Sequence, residues 1–165
     1  MMERALGLSL PAAYRELVSP FPVPALADNR ESGLWDDAAA LVAQNQALRE
    51  GRDHIDPWPP HLFAMGVDDA GAAYALDLED GSVWWFEHAH ATGPGVAKEA
   101  DALEIWAEVY LSELRSDLED LGAPPDGTPA QLDAARRRGA HLDLGIMALA
   151  ILLATAVVTA IAVLS

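Results

Sequence analysis

The chain contains no cysteine, which excludes disulfides, thiolate nucleophiles and Cys-ligated zinc. It is also poor in positive charge: 10 Lys and Arg stand against 26 Asp and Glu, a formal net charge of −16. Three of the basic residues are Arg136, Arg137 and Arg138, so residues 1–135 hold 7 basic against 25 acidic groups. A surface of that sign repels phosphates, which argues against direct nucleic-acid binding. It attracts cationic proteins and speeds their association at low salt. The same acidity also serves solubility alone.

Several catalytic signatures are missing as well. Gly93-Pro94-Gly95 lacks the Lys-Ser/Thr that completes a phosphate loop, and no Gly-x-Ser-x-Gly elbow is present. Asp68-Asp69 and Glu79-Asp80 lack EF-hand spacing and read as ordinary acidic turns before glycine. His88 and His90 would share one face of a strand and could share a metal, and His54 and His61 flank a proline loop. No assembled ligand set is legible around them. The expectation is no metal, no cofactor and no enzymatic activity. Met1 to Ser19 interrupts its apolar positions with Glu3, Arg4, Arg15 and Glu16, so it holds no signal-peptide core.

What the sequence does have, from Leu144 to Leu164, is 21 consecutive uncharged residues. As a helix this run measures about 31 Å, close to the roughly 30 Å of bilayer hydrocarbon. Its Leu, Ile and Val residues favour insertion by roughly 3–6 kcal/mol. A buried core helix of so small a domain would keep a polar stripe, and this run has none. The pattern predicts a C-terminal transmembrane helix over 144–164. Arg136, Arg137 and Arg138 precede it, which places the N-terminal part on the cytoplasmic side by the positive-inside rule and within reach of anionic lipid head groups. The expected protein is single-pass, in the layout of a tail anchor.

Ahead of that run the pattern is α+β. Short helices are predicted at Glu3–Leu8 and after Leu10-Pro11, stopped by Pro20, Pro22 and Pro24. A third runs from about Asp36 to Glu50, ended by Gly51. Three strands follow, His61–Val67, Ala72–Leu78 and Ser82–His88, joined by acidic glycine turns into an antiparallel meander. From about Ala100 to Leu121, residues Leu103, Trp106, Tyr110, Leu114, Leu118 and Leu121 recur every three or four positions as one packing stripe. The expected fold class is therefore a small antiparallel β-meander packed with helices, plus one transmembrane helix. Its divisions are a domain over 1–121, a Pro/Gly linker and basic juxtamembrane helix over 122–143, and the span over 144–164.

Trp84 and Trp85 are adjacent on a strand, so their side chains point to opposite faces. The outward member, with Asp68, Asp69, Glu79 and Asp80, forms a candidate partner-binding surface, since an exposed Trp ringed by acids suits an interface anchor. Coverage of both sheet faces would leave neither Trp available.

Set in order, these pieces resemble the SUKH superfamily. The stretches are "ERALGLSLPAAYRELV", "LWDDAAALVAQNQALRE", "WPPHLFAMGVDDAGAAYALDLEDGSVWWFEHAHAT" and "ADALEIWAEVYLSEL". The likeness covers about Glu3 to Leu121. It implies a non-enzymatic role: many bacterial members resemble immunity proteins that bind and neutralise toxin domains, often nucleases, whose basic surfaces match an acidic partner. Fungal members act as interaction hubs in cell-wall signalling. The function expected is a membrane-tethered protein-binding module that neutralises a basic toxin domain. The alternative is a membrane-anchored regulatory or scaffold domain that recruits a cytoplasmic partner.

Overall fold

The computed structural model describes residues 2–27, 33–51, 57–68, 70–87, 95–124 and 126–137. Two short helices open the chain, α1 (Met2–Leu6) and α2 (Ala12–Val18), followed by a 3-10 turn at Pro24–Leu26. Gly7, at φ 66°, ends α1 in the left-handed region that glycine enters without steric cost. The Glu3 carboxylate then ties the two helices together. It accepts the Leu10 N–H at 2.7 Å and lies 3.6 Å from the Arg15 guanidinium. Helix α3 (Ala38–Glu50) is delimited by local chemistry. Asp37 accepts the Ala39 and Ala40 N–H groups at 2.9 and 3.0 Å, and Gly51 closes the helix at φ 65°.

Four antiparallel strands follow in sequence order: β1 (Leu62–Val67), β2 (Ala73–Asp77), β3 (Val83–Phe86) and β4 (Val96–Ala100). Acidic side chains shape the two turns between the first three. Asp68 accepts the Ala72 N–H, Asp77 the Glu79 N–H and Asp80 the Ser82 N–H, each at 2.8 Å. Helix α4 (Leu103–Asp120) packs back on the sheet, and residues 129–137 are helical. That last stretch starts with a side-chain cap, Gln131 Oε1 accepting the Thr128 N–H at 2.7 Å.

Both faces of the sheet are covered. The larger core gathers Phe63, Met65, Leu76 and Val83 from one face with Leu10, Tyr14, Leu34 and Leu41. Leu103, Trp106, Leu111 and Leu118 of α4 close it, and Ala123, Leu132 and Ala135 join from the segment beyond. Each large apolar side chain buried here contributes roughly 1.5–3 kcal/mol. Tyr14 meets Phe63 edge-on at 5.1 Å, and its buried hydroxyl has no hydrogen-bond partner among the described residues. The smaller core lies on the opposite face, where Ala64, Ala73, Ala75 and Phe86 are covered by Leu48 and Trp58.

The β1 edge is sealed without a fifth strand. Asn45 of α3 is fully buried and pairs with Ala64 as a strand residue would. Its Oδ1 accepts the Ala64 N–H at 2.8 Å and its Nδ2 donates to the Ala64 carbonyl at 2.9 Å. One step along, the Trp35 N–H donates to the Met65 carbonyl at 2.9 Å. This close approach requires a glycine on β1. A Cβ on Gly66 would lie 2.7 Å from the Gly33 backbone, so the strand could carry no side chain there.

The expected fold class is corrected on two counts. The sheet has four strands, because Val96–Ala100 pairs with β3 although Ala97, Lys98 and Glu99 are stronger helix formers than strand formers. And among the described residues no helix is long and apolar enough to cross a membrane. Helix α4, at 18 residues, buries one stripe and carries Glu104, Glu108, Glu113 and Asp117 on the remainder, so it packs on a core. The span expected over 144–164 lies outside the described residues. The fold is α+β with a four-stranded antiparallel sheet.

Replacing Asn45 by Leu keeps the branched side-chain shape but strands the Ala64 N–H and carbonyl in the core. The expected loss is about 2–4 kcal/mol of unfolding free energy in urea. An unchanged denaturation midpoint would show that the Asn45 clamp is dispensable.

Candidate functional site

The packing stripe of α4 does not stay covered along its length. Trp106 is buried, Tyr110 and Leu114 are half-buried, and Leu121 is exposed. Where α4 crosses β2, Tyr74 meets both aromatic residues, at 5.2 Å from Trp106 and 5.2 Å from Tyr110. Trp106 and Tyr110 stack on each other at 4.6 Å and 14°. The i, i+4 spacing on α4 and the alternation of β2 bring these three rings onto one face.

Gly33 fixes the cluster from below. Its N–H donates to the Tyr110 hydroxyl oxygen at 2.8 Å. A Cβ at that position would run into the Tyr74 ring, with Cε2 at 2.9 Å, and approach the Tyr110 oxygen to 3.3 Å. The aromatic cluster is thus held by the same glycine crossing that seals the sheet edge.

Two concavities flank the Tyr74–Tyr110 pair. The larger, of about 330 Å³, has Asp68 and Asp117 in its wall together with Arg136, and Leu26 and Leu114 as apolar lining. The smaller, of about 120 Å³, has Glu99 and Glu113 at its rim. Ile105 and Val109 flank it and are 57% and 56% exposed, unusually high for large aliphatic side chains.

The electrostatics follow from this placement. Burial pushes the Tyr110 hydroxyl up to about 12, opposed by the Gly33 hydrogen bond and assisted by the charges of Asp68 and Glu113. Burial also raises Tyr74, and Glu99, Glu113 and Asp68 add to the effect. Three carboxylates therefore bear on one pair of phenols. At neutral pH both phenols are un-ionised, and the face presents aromatic surface within a negative field. Such a face suits a cation with an apolar stem.

No family model, no curated protein and no solved structure matches the chain.

Of the six residues expected to form one partner surface, the five described are distributed over three places. Consecutive turns of a meander lie at opposite ends of the sheet. Asp68, between β1 and β2, belongs to the aromatic face, while Glu79 and Asp80, between β2 and β3, sit at the other end. Asp80 is engaged in its own turn, where hydrogen bonds from the Ser82 hydroxyl and amide hold its carboxyl below the usual range. Trp84 packs against the smaller core and donates its indole N–H to Ser82 Oγ at 2.8 Å. Trp85 pairs across the sheet with Tyr74 and so shares its face. Asp69 lies outside the described residues.

Arg136, expected at the membrane surface, lines the larger concavity, and Arg137 is exposed on the same helical stretch; Arg138 lies outside the described residues. Of the histidines, His61 stands 4.0 Å from both Asp77 and Glu79, and His54, His88 and His90 lie outside the described residues. Among the described residues no three His, Asp or Glu side chains converge as metal ligands. Sequence reasoning placed Trp106 and Tyr110 in the core stripe and missed them as site walls. The available signal was acidic: Glu113 and Asp117 follow Tyr110 at three and seven positions on the helix.

All three tyrosines are raised by burial, so the folded chain has none that titrates at the ordinary value. Because Tyr110 ionises less readily folded than unfolded, its contribution to stability is complete below pH about 10 and is lost as pH rises through about 12. Tyrosinate absorbance followed from pH 9 to 13 should show ionisation displaced above the ordinary tyrosine value, with the Tyr110 component near 12. All three tyrosines titrating together at the ordinary value in the folded protein would contradict their packing.

Proposed function

We infer that the chain is a protein-binding module that sequesters a basic protein partner, in the manner of an immunity protein neutralising a toxin domain. The observation that carries this reading is the aromatic face of β2 and α4, open to solvent at Ile105 and Val109 and bordered by Asp68, Glu99, Glu113 and Asp117. Exposed apolar anchors with an excess of acidic groups around them give an interface its affinity at the centre and its steering at the rim. The large excess of acid over base in residues 1–135 extends the attraction beyond the rim. The resemblance to SUKH immunity proteins supports the same role. A nuclease surface, built to hold phosphates, presents the complementary sign.

The test is co-expression of the full chain with the protein encoded beside it. Relief of that protein's toxicity is expected, together with a complex whose association slows by about tenfold or more between low and high salt. Toxicity that persists while both proteins are present and folded would contradict the reading.

A further inference from the structure

We propose that the smaller concavity, between Glu99, Glu113 and the Trp106–Tyr110 stack, receives the guanidinium of an arginine side chain presented by the protein partner. The inference rests on the protein-binding reading above and names the chemistry that reading requires at its centre.

Three observations carry it. The cavity, at about 120 Å³, is lined by the rings of Tyr74, Trp106 and Tyr110 together with two carboxylates, Glu99 and Glu113. A planar, weakly hydrated cation that stacks on rings and forks onto carboxylates matches that wall better than an ammonium. Ile105 and Val109 stand exposed at its mouth, where the methylenes of an arginine stem would lie. And across the shared tyrosine pair an arginine, Arg136, already lines the larger concavity, in the same wall as Asp68, Asp117 and the two tyrosines. The smaller concavity repeats the tyrosine wall and the paired acids, and among the described residues no Lys or Arg lines it.

Charge complementarity identifies the occupant as part of a cationic protein. The exposed aliphatic flanks favour a protein over a free small cation, since they offer area that only a larger partner can bury.

The experiment is titration of the full chain, at low salt, with a terminally blocked six-residue arginine peptide and its lysine counterpart. The arginine peptide should bind about fivefold or more tightly than the lysine peptide. Combining Glu99→Gln with Glu113→Gln should weaken it about tenfold. Combining Glu16→Gln with Asp126→Asn removes the same charge at exposed positions away from the cavity and should change affinity by less than about twofold. Equal loss in the two double variants, or equal affinity for the two peptides, would overturn the site and reduce the interaction to general attraction. These residues are exposed, and the thermal midpoint of each variant confirms that it folds. The two readings fail separately. A cognate partner bound equally well by the Glu99→Gln, Glu113→Gln chain overturns the arginine site and leaves sequestration intact. A chain that binds the arginine peptide as expected but relieves no toxicity overturns sequestration and leaves the site intact.

Discussion

The crossing of Gly33 over Gly66 is the constraint on which the rest of the structure depends. At this point two backbones approach more closely than any side chain would permit, and the segment bearing Leu34 and Trp35 is laid along the edge of β1. Asn45 continues the seal by supplying an amide where a neighbouring strand would supply a peptide group. An exposed strand edge is a liability, and here it is satisfied by side chain and loop without added length. The crossing has a second effect on the outer side. The Gly33 N–H holds the Tyr110 oxygen, and the bare Gly33 Cα leaves room for the Tyr74 ring. The edge of the sheet and the aromatic face are therefore one mechanical unit.

The proposed recognition of a basic partner would rest on that same unit. General attraction depends on net charge and is screened within about 10 Å at 0.1 M salt. Selectivity needs fixed groups, and the Tyr74, Trp106 and Tyr110 rings are fixed by packing on the main core. The carboxylates of Asp68, Glu99, Glu113 and Asp117 stand around them on three stretches of chain, the β1–β2 turn, β4 and α4. Two elements, β2 and α4, carry the rings, so the face inherits the rigidity of the fold and not that of a loop.

Much of this fold was legible in the sequence. Helix α3 was readable because Asp37 and Gly51 are local signals, one an acceptor for free amides and the other a residue that tolerates positive φ. The two hairpin turns were readable for the same reason, and alternation placed Tyr74, Leu76 and Leu78 together. Strand β4 was not readable, because its pairing with β3 is a long-range gain that outweighs the local preference of Ala97, Lys98 and Glu99. Asn45 sits between two glutamines in a polar stretch, and nothing local distinguishes a buried clamp from a solvated side chain. The site was half legible. Asp68 and the opposed faces of Trp84 and Trp85 followed from turn chemistry and strand parity. Periodicity put Trp106 and Tyr110 on the inner stripe of α4 without revealing where along the helix the covering elements end.

The most direct test of the crossing is to substitute Gly33 by Ala and measure the stability and tyrosine titration of the full chain together. The account predicts a loss of about 1–3 kcal/mol from overpacking against the Tyr74 ring, with the Tyr110 titration moving down towards the ordinary value as the ring is displaced. A variant with wild-type stability and an unchanged titration would mean that the sheet edge and the aromatic face are not joined at this residue.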